Sequence, residues 1–324
     1  MSCCTDDMRY RPLGSSGLLV SVVGLGCNNF GSRVDLEGTR AVVTAALDNG
    51  ITLFDTADTY GNKGGSETLL GHILRTRRDE VVLATKFGND MGGVYGPDFN
   101  ARASRRYIRK AVEGSLRRLQ TDYIDLFQLH SPDAFTPIEE TLAALDEIVR
   151  EGKVRYVGSS NLAAWQVADA EWTARASSTT RFISAQNHYN LLERGIEAEL
   201  VPAAQKYGIG ILPYFPLANG ILTGKYFRDE QPPPGTRLAG RQDELTDEVF
   251  DQVEALETFG RERGRSLLDV AIGGLAAQPA VASVIAGATT AEQVRANVAA
   301  SEWQPRADDL AVLDKIAPSR RPGA

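Results

Sequence analysis

The stretch Ile51-Thr-Leu-Phe-Asp55-Thr-Ala-Asp-Thr-Tyr60 decides the fold, because it places a short apolar segment directly before a group of polar side chains. Its first half is apolar and β-branched, which predicts a buried strand. Its second half runs into Gly61 and Gly64, which favour a turn. Asp55 and Tyr60 therefore flank a strand end, the position at which α/β proteins place their chemistry.

The same strand–helix unit repeats along the chain. We expect barrel strands at 22–26, 53–55, 81–86, 124–130, 156–160, 183–186, 210–214 and 283–285. We expect helices at 35–49, 66–74, 104–119, 162–176, 195–207, 247–263 and 266–277, one whose capping box and first-turn proline lie at 136–139, and one from residue 290. A β-hairpin, 10–13 with 18–20, precedes the first unit.

Eight such units predict an α/β fold of the closed (β/α)8, or TIM, barrel type. An open doubly wound sheet is the alternative, and it requires Gly-x-Gly-x-x-Gly after the first strand. The segment Gly24-Leu-Gly26-Cys-Asn-Asn-Phe-Gly31 lacks that spacing, which excludes the nucleotide-binding open sheet.

One domain is expected over residues 8–317, with a disordered extension at 1–7 and a flexible tail at 318–324. Residues 217–246 form a long loop after the seventh barrel strand and contain Gln231-Pro-Pro-Pro-Gly235. Because that loop leaves the carboxyl-terminal end of the barrel, we expect it to cover a ligand there. A surface insertion without function is the alternative.

Composition narrows the functional class. The 324 residues are 43% hydrophobic, which supplies a large core, and the net charge of −7 argues against nucleic-acid or anionic-membrane partners. No apolar run reaches the roughly 18 residues that span a bilayer, and no signal peptide is evident. Cys3, Cys4 and Cys27 do not form a disulfide framework, so we expect a cytoplasmic enzyme, monomeric or homo-oligomeric.

Four polar residues are expected at one barrel mouth, because the carboxyl ends of parallel strands meet there. Asp55, Lys86 and His130 each end a strand, and Tyr60 follows the first of these. A lysine ammonium held by a carboxylate can stabilise a phenolate, and a histidine can donate a hydrogen bond to a carbonyl oxygen. The set suits protonation of a C=O group while a nicotinamide cofactor supplies hydride.

Other chemistries fit the residues less well. The chain offers no activated serine or cysteine nucleophile, and its three histidines are too far apart for metal-ligand spacing, so no metal site is expected. A barrel hydrolase that uses Asp55 lacks a second carboxylate partner.

The chain resembles the aldo-keto reductase superfamily from about residue 10 to 300. The matching segments are Asp55-Thr-Ala-Asp-Thr-Tyr60-Gly61, Ala84-Thr-Lys86-Phe, Leu116-Arg-Arg-Leu-Gln-Thr-Asp-Tyr-Ile-Asp125, Asp125-Leu-Phe-Gln-Leu-His130, Gly152-Lys-Val-Arg-Tyr-Val-Gly-Ser-Ser-Asn161 and Pro216-Leu-Ala-Asn-Gly-Ile-Leu-Thr-Gly-Lys-Tyr226. The length of the loop after the seventh barrel strand is nearer to the bacterial reductases and potassium-channel β-subunits than to the mammalian aldose reductases.

The resemblance implies a role for each site residue. Tyr60 would be the general acid, Lys86 and Asp55 would lower its pKa, and His130 would orient the carbonyl. The cofactor-binding positions implied are Ser160, Asn161 and Gln186 for the nicotinamide carboxamide, Tyr214 for stacking on its ring, Leu217, Gly220, Leu222 and Lys225 over the pyrophosphate, and Gly287, Thr289, Gln293 and Asn297 at the adenosine. Thr290 and Gln293 also have the pattern of a plain capping box.

The resemblance makes NADP(H) the expected cofactor, with one departure. Family members usually carry Lys or Arg near the positions of Gly287 to Gln293 to hold the 2′-phosphate, and here the first basic residue is Arg295. A phosphate without a charged partner binds less tightly. We therefore expect a weakened preference for NADP(H), with NAD(H) as an alternative.

The substrate pocket is expected to involve Asn28, Asn29, Phe30, Phe87 and Phe215, which follow barrel strands one, three and seven. Many relatives have tryptophan near the two asparagines, so a roomier and more polar pocket for hydroxylated carbonyl compounds is expected. Two functions remain open. One is a carbonyl reductase working in either direction, and the other is a cofactor-binding regulatory subunit with little turnover.

Overall fold

The computed structural model describes residues 8–319 and begins with a β-hairpin. Strands β1 (Tyr10–Pro12) and β2 (Leu19–Ser21) pair antiparallel, as the sequence predicts. The side chains of Leu13 and Val20 are buried in one apolar cluster with residues of the barrel interior. The hairpin therefore closes the amino-terminal end of the barrel.

Eight parallel strands form the barrel. They are β3 (Val23–Gly26), β4 (Leu53–Asp55), β5 (Val82–Phe87), β6 (Ile124–Leu129), β7 (Val154–Ser160), β8 (Phe182–His188), β9 (Gly210–Tyr214) and β10 (Val284–Gly287). Their order is β10-β3-β4-β5-β6-β7-β8-β9. The two end strands meet just before β10, where Ile211 N–H donates to the Ala280 carbonyl at 2.7 Å. The predicted (β/α)8 barrel is confirmed.

Helices surround the sheet. They are α1 (Leu36–Asp48), α2 (Tyr60–Leu74), α3 (Arg105–Leu119), α4 (Ile138–Arg150), α5 (Ala164–Ser177), α6 (Leu200–Tyr207), α7 (Asp247–Arg261), α8 (Leu267–Ala276), α9 (Ala291–Ala300) and α10 (Ala307–Ile316). Asp35, Ser104 and Thr290 cap α1, α3 and α9, each accepting a backbone N–H in the first turn. The helix starts that depend on these residues are where the sequence predicts them.

Two local expectations were wrong, and one helix was not predicted. The capping box expected at Thr136 is absent, because Thr136 Oγ1 donates to Asp133 and Pro137 is the N-cap of α4. The helix expected from residue 195 is split into a short 3-10 turn, Gly195–Glu197, and α6. Helix α10 has no counterpart among the predicted elements.

Side chains alternate between the two faces of the barrel wall. Leu53 of β4 and Ala84 of β5 point into the barrel, whereas Phe54 and Phe87 belong to the cluster between sheet and helices. This period of two places Asp55 two residues beyond Leu53, on the interior side at the carboxyl-terminal end. Lys86 follows Ala84 in the same way. The strand pattern therefore aims both charges at the axis of the barrel.

The segment between β9 and α7, residues 217–246, crosses the carboxyl-terminal mouth, and we call it the strap. Arg33, in the loop after β3, donates from Nη2 to the Gly235 carbonyl of the strap at 2.8 Å. Arg237 of the strap donates from Nη2 to Asn28 Oδ1 and Asn29 Oδ1, both at 3.1 Å. The strap is thus fastened to the opposite rim, where the sequence predicted a cover.

None of the helices in residues 8–319 has the length and apolar character needed to cross a bilayer. In that range no group of three or more His, Cys, Asp or Glu side chains is arranged to hold a metal ion. The predicted extension at 1–7, with Cys3 and Cys4, and residues 320–324 of the predicted tail lie outside the described residues.

Candidate functional site

A cavity of about 910 Å³ opens at the carboxyl-terminal end of the strands, between the barrel mouth and the strap. Most residues predicted for the site line it. They are Asp55, Tyr60 and His130, then Ser160, Asn161, Gln186, Tyr214, Leu217, Gly220 and Lys225, then Gly287, Thr289, Gln293 and Asn297, and finally Asn28, Asn29 and Phe215. The cavity therefore extends from the barrel axis to the first turns of α9.

Lys86 is the centre of the tetrad, by which we mean Asp55, Tyr60, Lys86 and His130. Its side chain is fully buried, and Nζ lies 2.6 Å from Asp55 Oδ2. The same nitrogen donates to the Thr56 carbonyl at 2.9 Å and to the Tyr60 hydroxyl at 3.4 Å. One ammonium group therefore joins the carboxylate to the phenol, and the phenol faces the cavity.

Asp55 is held on its other oxygen as well. Gln186 Nε2 donates to Oδ1 at 2.9 Å and Gln128 Nε2 donates to the same atom at 3.2 Å. The carboxylate thus accepts two amide hydrogen bonds and one charged one. These three bonds fix the orientation of the carboxylate.

The protonation states follow from burial and the fixed charges. Burial alone would lower the pKa of Lys86, but the Asp55 carboxylate and the Tyr60 phenol outweigh it and raise that pKa, so the ammonium persists. Burial raises the pKa of Tyr60 more than Lys86 lowers it, and the Asp55 charge raises it further. Lys86 therefore acts on the pKa of Tyr60 in the expected direction, Asp55 acts against it, and burial outweighs Lys86, so the resting phenol keeps its proton.

His130 is neutral in this environment. Burial, assisted by the charge of Lys86, lowers the pKa of His130 to about 3. Its ring meets the ring of Tyr60 edge to face, with centroids 5.8 Å apart, and Nδ1 is buried without a hydrogen-bond partner among residues 8–319. A neutral imidazole can donate one hydrogen bond without bringing a charge, which suits a carbonyl oxygen beside the phenol.

A left-handed turn sets the position of Tyr60. Gly61, Asn62, Lys63 and Gly64 all have φ between 59° and 110°, so regular helix begins only after them. A Cβ on Gly61 would come within 2.5 Å of the Phe30 carbonyl oxygen, so no other residue fits. Left-handed backbone costs a non-glycine residue about 1–2 kcal/mol, which the surrounding contacts must offset.

A buried polar cluster around Glu67 and Asp58 packs against this turn. Glu67 of α2 is fully buried and accepts from Arg118 Nε and from Thr85 Oγ1, each at 2.6 Å. Asp58, also fully buried, accepts from the Tyr95 hydroxyl at 3.4 Å, and burial next to Glu67 raises its pKa well above the usual range. The cluster ties the turn to β5 and α3.

The wall opposite Tyr60 is organised by Asn161, whose backbone is left-handed. Asn161 Oδ1 accepts from the Tyr214 hydroxyl at 2.8 Å, and Nδ2 donates to the His130 carbonyl at 2.9 Å. The Tyr214 ring is parallel to that of His188, at a centroid separation of 5.5 Å. Ser160 is buried beside Asn161 and lines the cavity.

Three cations line the strap end of the cavity: Arg33, Lys225 and Arg237. None of them forms an ion pair with a carboxylate within the described part of the chain. Burial lowers the pKa of Arg237, and the charges of Arg33 and Arg241 lower it further, so like charges face one another here. Uncompensated guanidinium and ammonium groups beside a cavity are an arrangement that an anionic ligand would neutralise.

Besides Lys86, which lies behind Asp55 and Tyr60, three predicted site residues do not line the cavity. Phe30 is fully buried in the main core, and Phe87 is fully buried against Phe127, because it follows Lys86 and so faces the opposite side of β5. Leu222 is fully buried in the cluster under the strap that includes residues of α7 and α8. The side chains of these three residues support the walls instead of contacting a ligand.

Some site residues were not anticipated. Gln128 lies on β6, two positions before His130, so the period-two pattern could have identified it. Arg33 and Arg237 lie in irregular segments, and no periodicity in their neighbourhood relates them to the mouth. A loop carries its residues to positions that only the folded chain defines.

The arrangement can protonate an oxygen atom at the barrel mouth and stabilise the phenolate that remains. Its neutral imidazole can hold that oxygen in place. The strap end of the cavity carries three cations, which suits an anionic molecule that brings the second reactant.

The chain is similar to known proteins over most of its length. A model of the aldo/keto reductase family matches residues 22–318. The chain is 38% identical over 318 residues to YrpG of Bacillus subtilis (strain 168), described as an uncharacterized oxidoreductase, covering 96% of each chain. It is 36% identical over 321 residues to a probable voltage-gated potassium channel subunit beta of Oryza sativa subsp. japonica, covering 95% of each. It is 36% identical over 308 residues to L-glyceraldehyde 3-phosphate reductase of Escherichia coli (strain K12), covering 91% of this chain and 88% of that protein.

Proposed function

This chain belongs to the aldo/keto reductase family and is an oxidoreductase of that family, and on this premise we propose that it reduces aldehydes or ketones with NADPH or NADH. The reaction is reversible, so the protein also oxidises the corresponding alcohols. The observation that carries the proposal is the contact of Lys86 Nζ with both Asp55 and Tyr60.

Tyr60 acts as the general acid. Its raised pKa keeps the hydroxyl protonated at neutral pH, so the acid is ready before the substrate arrives. As the proton passes to the carbonyl oxygen, the negative charge that develops on the phenol lies beside the Lys86 ammonium. Asp55 holds that ammonium in position, and the neutral His130 donates a hydrogen bond to the same carbonyl oxygen.

The volume of the cavity, about 910 Å³, and its hydrogen-bonding and cationic lining suit a nicotinamide dinucleotide. Such a cofactor, when bound, supplies a hydride to the carbonyl carbon, and the proton from Tyr60 completes the alcohol. Gln186 donates from Nε2 to Asp55 Oδ1. Its Oε1 accepts no hydrogen bond from residues 8–319 and can therefore accept one from the carboxamide NH₂ of the cofactor. Ser160 offers a hydroxyl nearby, and Tyr214 offers a ring face for stacking.

Asn161 contributes by positioning these groups. Its amide is already shared between Tyr214 and the His130 backbone, so it aligns the stacking ring with the tetrad. On the strap, Leu217, Gly220 and Lys225 cover the pyrophosphate, with Leu222 packed beneath them. Gly287, Thr289, Gln293 and Asn297 hold the adenosine end.

We also propose that the substrate end of the pocket lies near Asn28, Asn29 and Phe215. The two asparagines are polar, and Phe215 is 38% exposed at the mouth. These groups favour a small carbonyl compound with hydroxyl substituents over a bulky apolar one.

Turnover separates the two candidate functions. A cofactor-binding subunit with little turnover would use the same residues. The similarity to probable potassium channel beta subunits makes this regulatory function the second candidate. The test is a panel of aldehydes and ketones with each reduced cofactor, followed by nicotinamide absorbance, beside Tyr60→Phe.

The variant should lose about 10²- to 10⁴-fold in kcat, the usual contribution of a positioned acid, while its cofactor affinity stays unchanged. Equal rates for the two proteins would refute Tyr60 as the acid. Cofactor binding without reduction of any compound in the panel would favour the regulatory subunit.

A further inference from the structure

The ring of Tyr214, which offers the stacking surface in the cavity, is supported by a second ring from outside the cavity. His188 is the partner of Tyr214 in the register of β8 and β9, and the two rings are parallel to within 6° at a centroid separation of 5.5 Å. Tyr214 lines the cavity, whereas His188 does not. The imidazole therefore covers a part of the tyrosine ring that the cavity does not reach.

The corner formed by Tyr214 and Phe215 has a backbone that needs support. Phe215 has a φ of 51°, which is left-handed and unfavourable for a residue other than glycine. Its ring meets the rings of Tyr214 and His188 edge to face, at centroid separations of 5.2 and 5.8 Å. Three aromatic rings therefore pack against one another at this corner, and the position of each depends on the other two.

Asn190 connects the imidazole to this corner. It is buried, and its Oδ1 accepts the backbone N–H groups of Leu192 and Glu193 at 2.8 and 2.9 Å. Because two donors face the oxygen, the orientation of the amide is defined, and Nδ2 points the other way. Nδ2 donates to the Phe215 carbonyl at 2.9 Å and lies 3.3 Å from His188 Nε2. One amide group therefore holds both the backbone of the corner and the imidazole.

The contact with Asn190 fixes the charge state in which His188 can make it. An amide NH₂ only donates, so Nε2 of His188 must accept, and Nδ1 carries the proton. An imidazolium has a proton on both nitrogens and would lose this hydrogen bond. The bond from Asn190 therefore exists only with the neutral imidazole.

The surroundings of His188 favour that neutral form. Glu193, in the loop after β8, favours the imidazolium, but burial has the larger effect and lowers the pKa of His188. On β9, burial raises the pKa of Tyr214, so its phenol stays protonated. On the strap, the Arg237 guanidinium lies over the Phe215 ring, 5.6 Å from its centroid. The imidazole is therefore neutral at neutral pH and becomes charged only on acidification.

We propose that His188 is a positioning residue for the cofactor, which as the neutral imidazole holds Tyr214 against the nicotinamide ring and on protonation releases it. This inference rests on the proposed function and adds a residue that makes the nicotinamide end of the cavity sensitive to pH. Asn161 fixes the Tyr214 hydroxyl, whereas His188 fixes the plane of the ring. An imidazolium would also attract the π electrons of Tyr214 that an oxidised, positively charged nicotinamide contacts.

The test compares NADPH with 2′-phospho-ADP-ribose, a fragment of it without the nicotinamide, by fluorescence titration of the whole protein and displacement. The ratio of the two dissociation constants isolates the nicotinamide end, because titration of the phosphates affects both ligands. At pH 8, His188→Ala should reduce the advantage of NADPH over the fragment about 2- to 10-fold, the size of a lost aromatic pair. His188→Phe keeps a ring and should recover most of it. His72→Ala, at an exposed position of α2, is the matched control and should change nothing.

Acidification from pH 8 to pH 5 gives the second readout. In the unmodified protein the advantage of NADPH over the fragment should fall toward the value for His188→Ala. It should stay constant in His188→Phe, because His130, with a pKa of about 3, does not titrate in this range. NADP⁺ should respond more strongly than NADPH, because its nicotinamide ring is positively charged.

Three outcomes would overturn the inference while the proposed function stands. They are an unchanged advantage of NADPH in His188→Ala, an equal loss of affinity for NADPH and for the fragment, and the same response to pH in the unmodified protein and in His188→Phe. If the unmodified protein bound NADPH no more tightly than the fragment and reduced no carbonyl compound, the proposed function would be wrong and the inference would fail with it.

Discussion

The tetrad end of the cavity has its charges paired and buried, whereas the strap end keeps its charges uncompensated. Lys86 and Asp55 satisfy one another deep in the barrel, on rigid strands. Arg33, Lys225 and Arg237 lie on loops and have no carboxylate partner within residues 8–319. The contrast indicates that the catalytic groups are held in position before a ligand binds. The cations of the strap end, in contrast, are neutralised only when an anionic ligand binds.

The largest expected effect comes from breaking the buried pair. Lys86→Met should leave Asp55 buried and charged without its partner, which costs about 3–5 kcal/mol in the free energy of unfolding and abolishes turnover. Adding Asp55→Asn removes the unpaired charge while keeping an acceptor for Gln128 and Gln186. Urea denaturation should show the double variant regaining most of the lost stability, and assays should show it inactive.

A double variant as unstable as Lys86→Met would mean that the pair does not act as a unit. The charges of Lys86 and Asp55 would then contribute to stability independently, and the tetrad end would not differ from the strap end in having its charges paired.

A smaller effect concerns the pH dependence of stability at the tetrad end. The pKa of His130 is lowered to about 3, whereas an unfolded histidine titrates near 6.5, so the unfolded chain binds the extra proton between these values. Stability from the neutral imidazole is therefore complete above about pH 6.5 and is lost as the pH falls toward 3. The slope is at most about 1.4 kcal/mol per pH unit.

His130→Gln removes this dependence, so the difference in unfolding free energy between the two proteins should shrink on acidification. Parallel pH profiles for the two proteins would show that His130 titrates normally in the folded state.

The smallest expected effect is at the strap end. Arg237→Ala should change the unfolding free energy by less than about 0.5 kcal/mol, because burial and the neighbouring Arg33 and Arg241 already disfavour its charge. It should weaken NADPH and NADH alike, about tenfold, and speed their dissociation in stopped-flow experiments. If Arg237→Ala lowered the unfolding free energy by more than about 2 kcal/mol, the strap end would be held together by its own contacts before a ligand binds, as the tetrad is.

The sequence predicts the tetrad better than the strap end for a physical reason. A strand of period two that ends in a polar residue specifies both the face and the end of the sheet, so Asp55, Lys86 and His130 could be assigned to one mouth. The same rule, applied fully, would have placed Phe87 on the helix side. Arg33 and Arg237 meet the cavity through loop geometry, which arises from contacts between segments more than 200 residues apart.

The protonation of Tyr60 was also beyond the sequence. Whether a phenol next to an ammonium is more or less acidic depends on how deeply both are buried, and here burial decides the direction. Charge spacing along a chain does not give that depth.

The left-handed turn at Gly61–Gly64 limits how this protein can diversify. The left-handed backbone at Gly61–Gly64, and not the axis of α2, determines the direction of the Tyr60 side chain. Exposed residues farther along α2 can therefore be substituted without moving the phenol. An insertion or deletion between Asp55 and Glu67 would rotate Tyr60 away from Lys86. New specificities in descendants of this chain should therefore come from remodelled loops at the far rim, with this short span kept at constant length.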